Sequence, residues 1–135
     1  MVYCSKKGVI SLKVPIQEST ENYLETILVL SKQGSQVRSV DIANELDFTR
    51  PSVSVAMKKL RERGYIEVSP DGYITLTPPG LEIAESMYDR HMVISNWLIS
   101  LGVETEIALD DACRMEHVIS EHSFLAIKKH VENLD

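Results

Sequence analysis

The stretch from Ser39 to Leu76 constrains the fold more than any other part of the chain. Ser39 is placed to cap a short helix through Leu46, with Val40, Ala43 and Leu46 on one side. Asp47-Phe48-Thr49 makes a tight link. Thr49 is a good N-cap, and Pro51 falls in the first turn, where its missing N–H costs nothing. Val53, Ala56, Met57 and Leu60 then recur at i, i+3, i+4 and i+7, and Gly64 ends the helix. Tyr65 to Ser69, Pro70-Asp71-Gly72 and Tyr73 to Leu76 read as a β-hairpin with an Asp-Gly turn. Ahead of this lies a helix from Glu18, striped by Leu24, Ile27 and Leu28 and stopped by Gly34. Helix, short helix, tight turn, helix, hairpin is the order of a winged helix-turn-helix.

That order carries a chemical expectation. The B-DNA major groove admits one α-helix, whose N-terminal end meets the base edges. Here that end offers Thr49, Arg50, Pro51, Ser52 and Ser54, one guanidinium among hydroxyls. Lys58 and Lys59 follow, with Arg61 and Arg63 beyond, suited to phosphates, which position rather than specify. Arg38 and Ser39, at the start of the short helix, complete the expected DNA-binding set. A plain three-helix core with a solvated basic face is the blander alternative. The order of elements, the first-turn proline and the hairpin together favour DNA.

Bulk charge would not have suggested it. The 135 residues carry 14 basic and 20 acidic side chains, a formal charge of −6, which argues against an indiscriminate nucleic-acid coat. The charge is unevenly spread. From Gln36 to Tyr65 the basic residues outnumber the acidic ones; from Thr77 to Ile127 only Arg90 and Arg114 face nine acidic residues. One part is suited to a polyanion and the other to a cation. No apolar run approaches the ~20 residues of a membrane span, and the start lacks a secretory signal. Cys4 and Cys113 do not make a disulfide framework. The expectation is a reduced, cytoplasmic protein with no membrane and no small organic substrate as partner. The expected divisions are an arm over 1–17, a winged helix-turn-helix over 18–76 and a helical domain over 77–135.

The acidic part reads as helices. Thr77 caps a long one through Leu101, and two more fit Thr105 to Ile119 and Ser123 to about Val131. Within the first of these two, Cys113, Glu116 and His117 stand at i, i+3, i+4 on one expected helix face. Thiolate, carboxylate and imidazole together suit a divalent transition metal. The bland reading is a small core cysteine beside a surface Glu-His pair. His91 lies in the apolar stripe of Ala84, Met87, Tyr88, Ile94 and Leu98, where a histidine is more often a satisfied core residue than a ligand. Asn22 and Glu25 stand three apart beside apolar residues of the first long helix. Polar groups buried in such company need partners, and one cation could satisfy Glu25, His91, Cys113, Glu116 and His117 together.

Glu18 to Ile27, Val40-Asp-Ile-Ala, Pro51-Ser-Val-Ser, Leu76-Thr, Tyr88-Asp-Arg-His91 and Asp111 to Ser120 resemble the diphtheria-toxin-repressor family of metal-dependent transcriptional regulators. The resemblance covers about Gln17 to Val131. It implies a mainly α protein: an N-terminal winged helix-turn-helix followed by an all-helical metal-binding and dimerisation domain. It also implies a homodimer that binds palindromic operator DNA when Fe²⁺ or Mn²⁺ is bound and represses metal-uptake genes. The chain stops before the SH3-like domain of iron-type members, as in the short manganese-regulator branch. The metal positions it carries over are Asn22, Glu25, His91, Cys113, Glu116 and His117. They mix branches. Cys113 matches the iron branch, Glu25 the manganese branch and Asn22 neither; two ancillary ligands of the iron branch fall on Ser95 and Leu109. Thiolate plus imidazole favours Fe²⁺, Co²⁺, Ni²⁺ or Zn²⁺ over Mn²⁺ by softness, and availability in a cell then places Fe²⁺ first and Mn²⁺ second. The expected dimer surface is Trp97, Leu98, Leu101, Ile107, Phe124 and Ile127. The alternative is a winged-helix regulator answering a non-metal or redox signal through Cys113. An enzyme is not expected, because Cys113 and His117 lack an oxyanion-type segment nearby.

Overall fold

Leu24, Ile27 and Leu28 are all buried, as the stripe at i, i+3, i+4 requires. They belong to α1 (Ile16–Lys32), the first element of a computed structural model that describes residues 16–34 and 36–134. The helix begins two residues before the expected Glu18. Most of the expected arm, 1–15, lies outside the described residues.

The contacts divide the chain into two compact units, with the division between Glu85 and Ser86. The first holds α1, α2 (Ser39–Leu46), α3 (Arg50–Glu62), β1 (Ile66–Val68), β2 (Ile74–Leu76) and the opening turns of α4 (Pro78–Ser100). α1 packs on α2 and β2, α2 on α3, and α3 on β1. Val37, Ile42, Leu46, Val53, Met57, Leu60, Ile66 and Ile74 are buried together with the α1 stripe. The mainly helical winged helix-turn-helix read from the sequence is present.

Local chemistry explains the boundaries. Thr49 caps α3 by accepting from the Ser52 N–H at 3.4 Å, with Pro51 in the first turn. α2 is capped differently from expectation. Its N-cap is Arg38 rather than Ser39, and the Arg38 N–H donates to Asp41 Oδ2 at 2.8 Å. Asp47, at φ 56°, turns the chain out of α2. The strands pair antiparallel, Ile66 with Leu76 and Val68 with Ile74. Gly72 closes the hairpin turn at φ +87°, its N–H donating to Ser69 O at 2.9 Å. Ile74 also bridges back to Val37, donating to its carbonyl at 2.7 Å.

Thr77 joins wing to α4. Its hydroxyl donates to Gly64 O at 2.6 Å and accepts from the Gly80 N–H at 3.4 Å. Gly80 is buried, and a Cβ there would land on the Tyr65 carbonyl oxygen. Backbone cannot yield as a flexible side chain can. Gly80→Ala is therefore expected to cost about 1–3 kcal/mol, read as a fall of several degrees in the thermal midpoint. An unchanged midpoint would contradict the close approach.

The second unit comprises the rest of α4, α5 (Thr105–Met115) and α6 (Glu121–Glu132). Ile94, Ala112 and Phe124 form its centre, with Val93, Leu98, Met115 and Ile119 packed against them. Two expectations change here. α5 ends at Met115, not Ile119, so Glu116 is its C-cap and His117 stands on the following turn. Phe124 is a core residue and not surface. Ser120 caps α6 by accepting from the Ser123 N–H at 3.1 Å. Among the described residues no helix is long and apolar enough to cross a membrane.

Candidate metal centre and nucleic-acid interface

The Glu116 carboxylate is fully buried and has an imidazole on each oxygen. His91 Nδ1 lies 3.1 Å from Oε2, and His117 Nε2 lies 3.2 Å from Oε1. Cys113 Sγ is 3.7 Å from His91 Nδ1. The Glu116 backbone stays right-handed helical at φ −59°, ψ −27°, so the i, i+3, i+4 spacing survives although α5 has ended. Four of the six sequence-derived metal positions are thus brought together in the second unit. A buried carboxylate, two imidazoles and a sulfur form a donor set that fits a divalent transition metal. In this structure Cys113 is disulfide-bonded, which departs from the reduced state expected. A disulfide sulfur has no thiolate to give, so Cys113 is a ligand only when reduced.

Asn22 and Glu25 are on α1 in the first unit. Glu25 is fully buried on α1. Asn22 Oδ1 is buried and has no hydrogen-bond partner among the described residues. At the two ancillary positions, the Ser95 hydroxyl donates to its own helix at His91 O, 2.7 Å, and Leu109 is buried against Cys113. Neither offers a ligand.

The DNA-binding set lies along the first unit. Thr49, Arg50, Pro51, Ser52 and Ser54 are exposed around the start of α3, and Lys58 and Lys59 are exposed further on. Ser39 is half-buried at the start of α2. The Arg38 guanidinium stacks over the Tyr73 ring, 4.5 Å from its centroid, joining the α2 start to the wing. α3 has two basic sides. Ser54, Lys58 and Arg61 line a cleft of about 240 Å³ with Ser39 and Val68; Ser52, Lys59 and Arg63 line another of about 290 Å³ with Ser19 and Tyr23.

Residues 16–74 match the iron dependent repressor N-terminal DNA binding domain, and residues 77–135 match the iron dependent repressor metal binding and dimerisation domain. The chain belongs to the iron dependent repressor family. The family is one of metal-dependent transcriptional repressors, and this chain carries both of its domains. It is 36% identical over 112 residues to the transcriptional regulator MntR of Escherichia coli O6:H1, covering 83% of this chain and 72% of that one. It is 32% identical over 105 residues to the diphtheria toxin repressor of Corynebacterium glutamicum, covering 77% of this chain and 46% of that one. The manganese regulator SloR superposes with a TM-score of 0.74 at 25% identity, over 84% of this chain and 53% of that one. The chain therefore spans about half the length of that structure.

Arg90 escaped the sequence reading. An arginine at the flank of an apolar stripe reads as a solvated charge. It is buried, and its neighbour His91 was the only signal.

Proposed function

We propose that the chain represses metal-uptake genes, binding palindromic operator DNA as a homodimer when Fe²⁺ or Mn²⁺ is bound. The buried His91–Glu116–His117 arrangement beside Cys113, in a chain that also carries a winged helix, supports this best. The ligands we assign are Asn22, Glu25, His91, Cys113, Glu116 and His117. Fe²⁺ leads when Cys113 is reduced, because a thiolate favours the softer ion; carboxylates leave Mn²⁺ second. An ion bound more tightly in the DNA-competent state would shift the population toward that state. That is how a small ligand selects a DNA-competent state. Leu101 and Ile107 are exposed apolar residues of the second unit and are assigned to the dimer surface, with Trp97, Leu98 and Ile127 at its edge. The protein would act in the cytoplasm, on DNA, with no catalytic step.

The assigned DNA contacts are Arg38, Ser39, Thr49, Arg50, Pro51, Ser52, Ser54, Lys58 and Lys59. A gel shift on the protein's own promoter, reduced and with each metal in turn, tests the proposal. No metal-dependent shift with either ion argues against it. Two substitutions then separate reading from anchoring. Arg50 can make a bidentate contact to guanine, so Arg50→Ala is expected to lose ~1–3 kcal/mol on the operator and relax base preference. Lys58→Ala is expected to weaken all sequences alike and lower the salt slope by about one. Unchanged base preference in Arg50→Ala would assign Arg50 to phosphate or solvent.

A further inference from the structure

We propose that Arg90 is the positioning residue of the metal centre, fastening the turn that carries Glu116 and His117 to α4. The inference rests on the metal reading above. α5 ends at Met115, and a helix C-terminus leaves carbonyls without intrahelical partners. Arg90 takes up one of these, at the C-cap Glu116, together with the carbonyl of Ile119 in the linker to α6. Its Nη1 donates to Glu116 O at 3.1 Å and to Ile119 O at 2.8 Å, and its Nη2 donates to Glu121 Oε2 at 2.8 Å. The guanidinium carbon sits 5.2 Å from the Phe124 ring centroid. A positive charge at this end of α5 also opposes the helix dipole.

The consequence for Glu116 is specific. Its main-chain oxygen is held by Arg90, and its carboxylate faces His91 at 3.1 Å. Two consecutive residues of α4 therefore address both ends of one candidate ligand. Without Arg90 the 116–119 turn loses these hydrogen bonds to α4, while the Glu116 carboxylate and the His117 ring must still be held together for one ion.

Arg90 is not needed merely to join helices. Lys128 Nζ already ties α6 to α4 through Asp89 Oδ2 at 2.8 Å, at a half-exposed site. Arg90 is buried instead, and its Nε has no hydrogen-bond partner among the described residues. Burying a guanidinium carries a desolvation cost. The return is the planar fork, which reaches two carbonyls and a carboxylate together; a lysine ammonium is a point charge and lacks that shape.

The test is anaerobic Co²⁺ titration of the reduced full chain, following visible absorption, with far-UV circular dichroism as the fold control. Groups that orient ligands typically contribute 10- to 100-fold in metal affinity. Arg90→Gln is expected to weaken Co²⁺ binding about 10- to 100-fold and to change the shape of the d–d bands, which a purely structural role would not move. Arg90→Lys is expected to lose affinity in the same direction, because charge alone does not restore the fork. Lys128→Ala is expected to bind as wild type does. Folded Arg90→Gln with wild-type affinity and spectrum overturns the proposal. If Arg90→Gln does not fold, wild-type binding by Arg90→Lys overturns it instead. A loss in Lys128→Ala equal to that in Arg90→Lys reduces Arg90 to a general tether and also overturns it. Wild type that takes up no Co²⁺ overturns the metal reading itself, and this inference with it.

Discussion

His117→Ala is expected to abolish metal-dependent operator binding while leaving the chain folded. The ring lies 3.2 Å from Glu116 Oε1, on a turn beyond the end of α5, outside the cluster of Ile94, Ala112 and Phe124. The side chain is itself buried, so its loss removes a donor and leaves a small void beside Glu116 rather than within that cluster. Removing groups that merely orient a metal's ligands costs about 10- to 100-fold in affinity, so losing a ligand is expected to cost more than ~100-fold. Calorimetric Mn²⁺ or Co²⁺ titration, with circular dichroism and operator binding on the same sample, checks it. Metal-dependent operator binding retained at wild-type strength would remove His117 from the site.

Cys113→Glu is expected to move preference from Fe²⁺ or Co²⁺ toward Mn²⁺. A thiolate selects softer ions and a carboxylate harder ones, so the two affinities shift in opposite directions. The same substitution is expected to make metal binding indifferent to oxidant. In this structure the wild-type sulfur is held in a disulfide, and oxidation withdraws it as a ligand. Competitive titration of Mn²⁺ against Co²⁺, with and without reductant, reads both effects. An unchanged preference would show that Cys113 is not a ligand.

The winged helix was legible because its signals are local. Thr49 and Pro51 at the α3 start, Gly64 at its end and the Asp71-Gly72 turn each act within a few residues. The errors came where a nearby competitor or a distant partner decides. Asp41 accepts from the Arg38 N–H and moves the α2 cap one residue back from Ser39. α5 stops at Met115, where Arg90, 26 residues away, holds the Glu116 carbonyl. Phe124, read as surface from its apolar excess, is buried against Ile94 and Ala112, because α6 folds onto the same core. The grouping of Cys113, Glu116 and His117 was visible as helical spacing and survives on a right-handed turn. Their meeting with His91 depends on the packing of α5 on α4, which no local pattern encodes. Arg90 was legible only as the neighbour of His91, since each of its partners lies more than twenty residues away.

Selection of the DNA-competent state by one divalent ion is what we propose for this chain. Its most direct test is operator affinity of the reduced wild-type chain, measured by fluorescence anisotropy at one salt concentration with saturating Fe²⁺ or Mn²⁺ and again with chelator. Coupling free energies of this kind are typically 1–3 kcal/mol, so the account predicts roughly 5- to 150-fold tighter binding with metal. By linkage, operator DNA must tighten metal binding by the same factor. Equal operator affinity with metal and with chelator would contradict the account, whatever ion the site is found to hold.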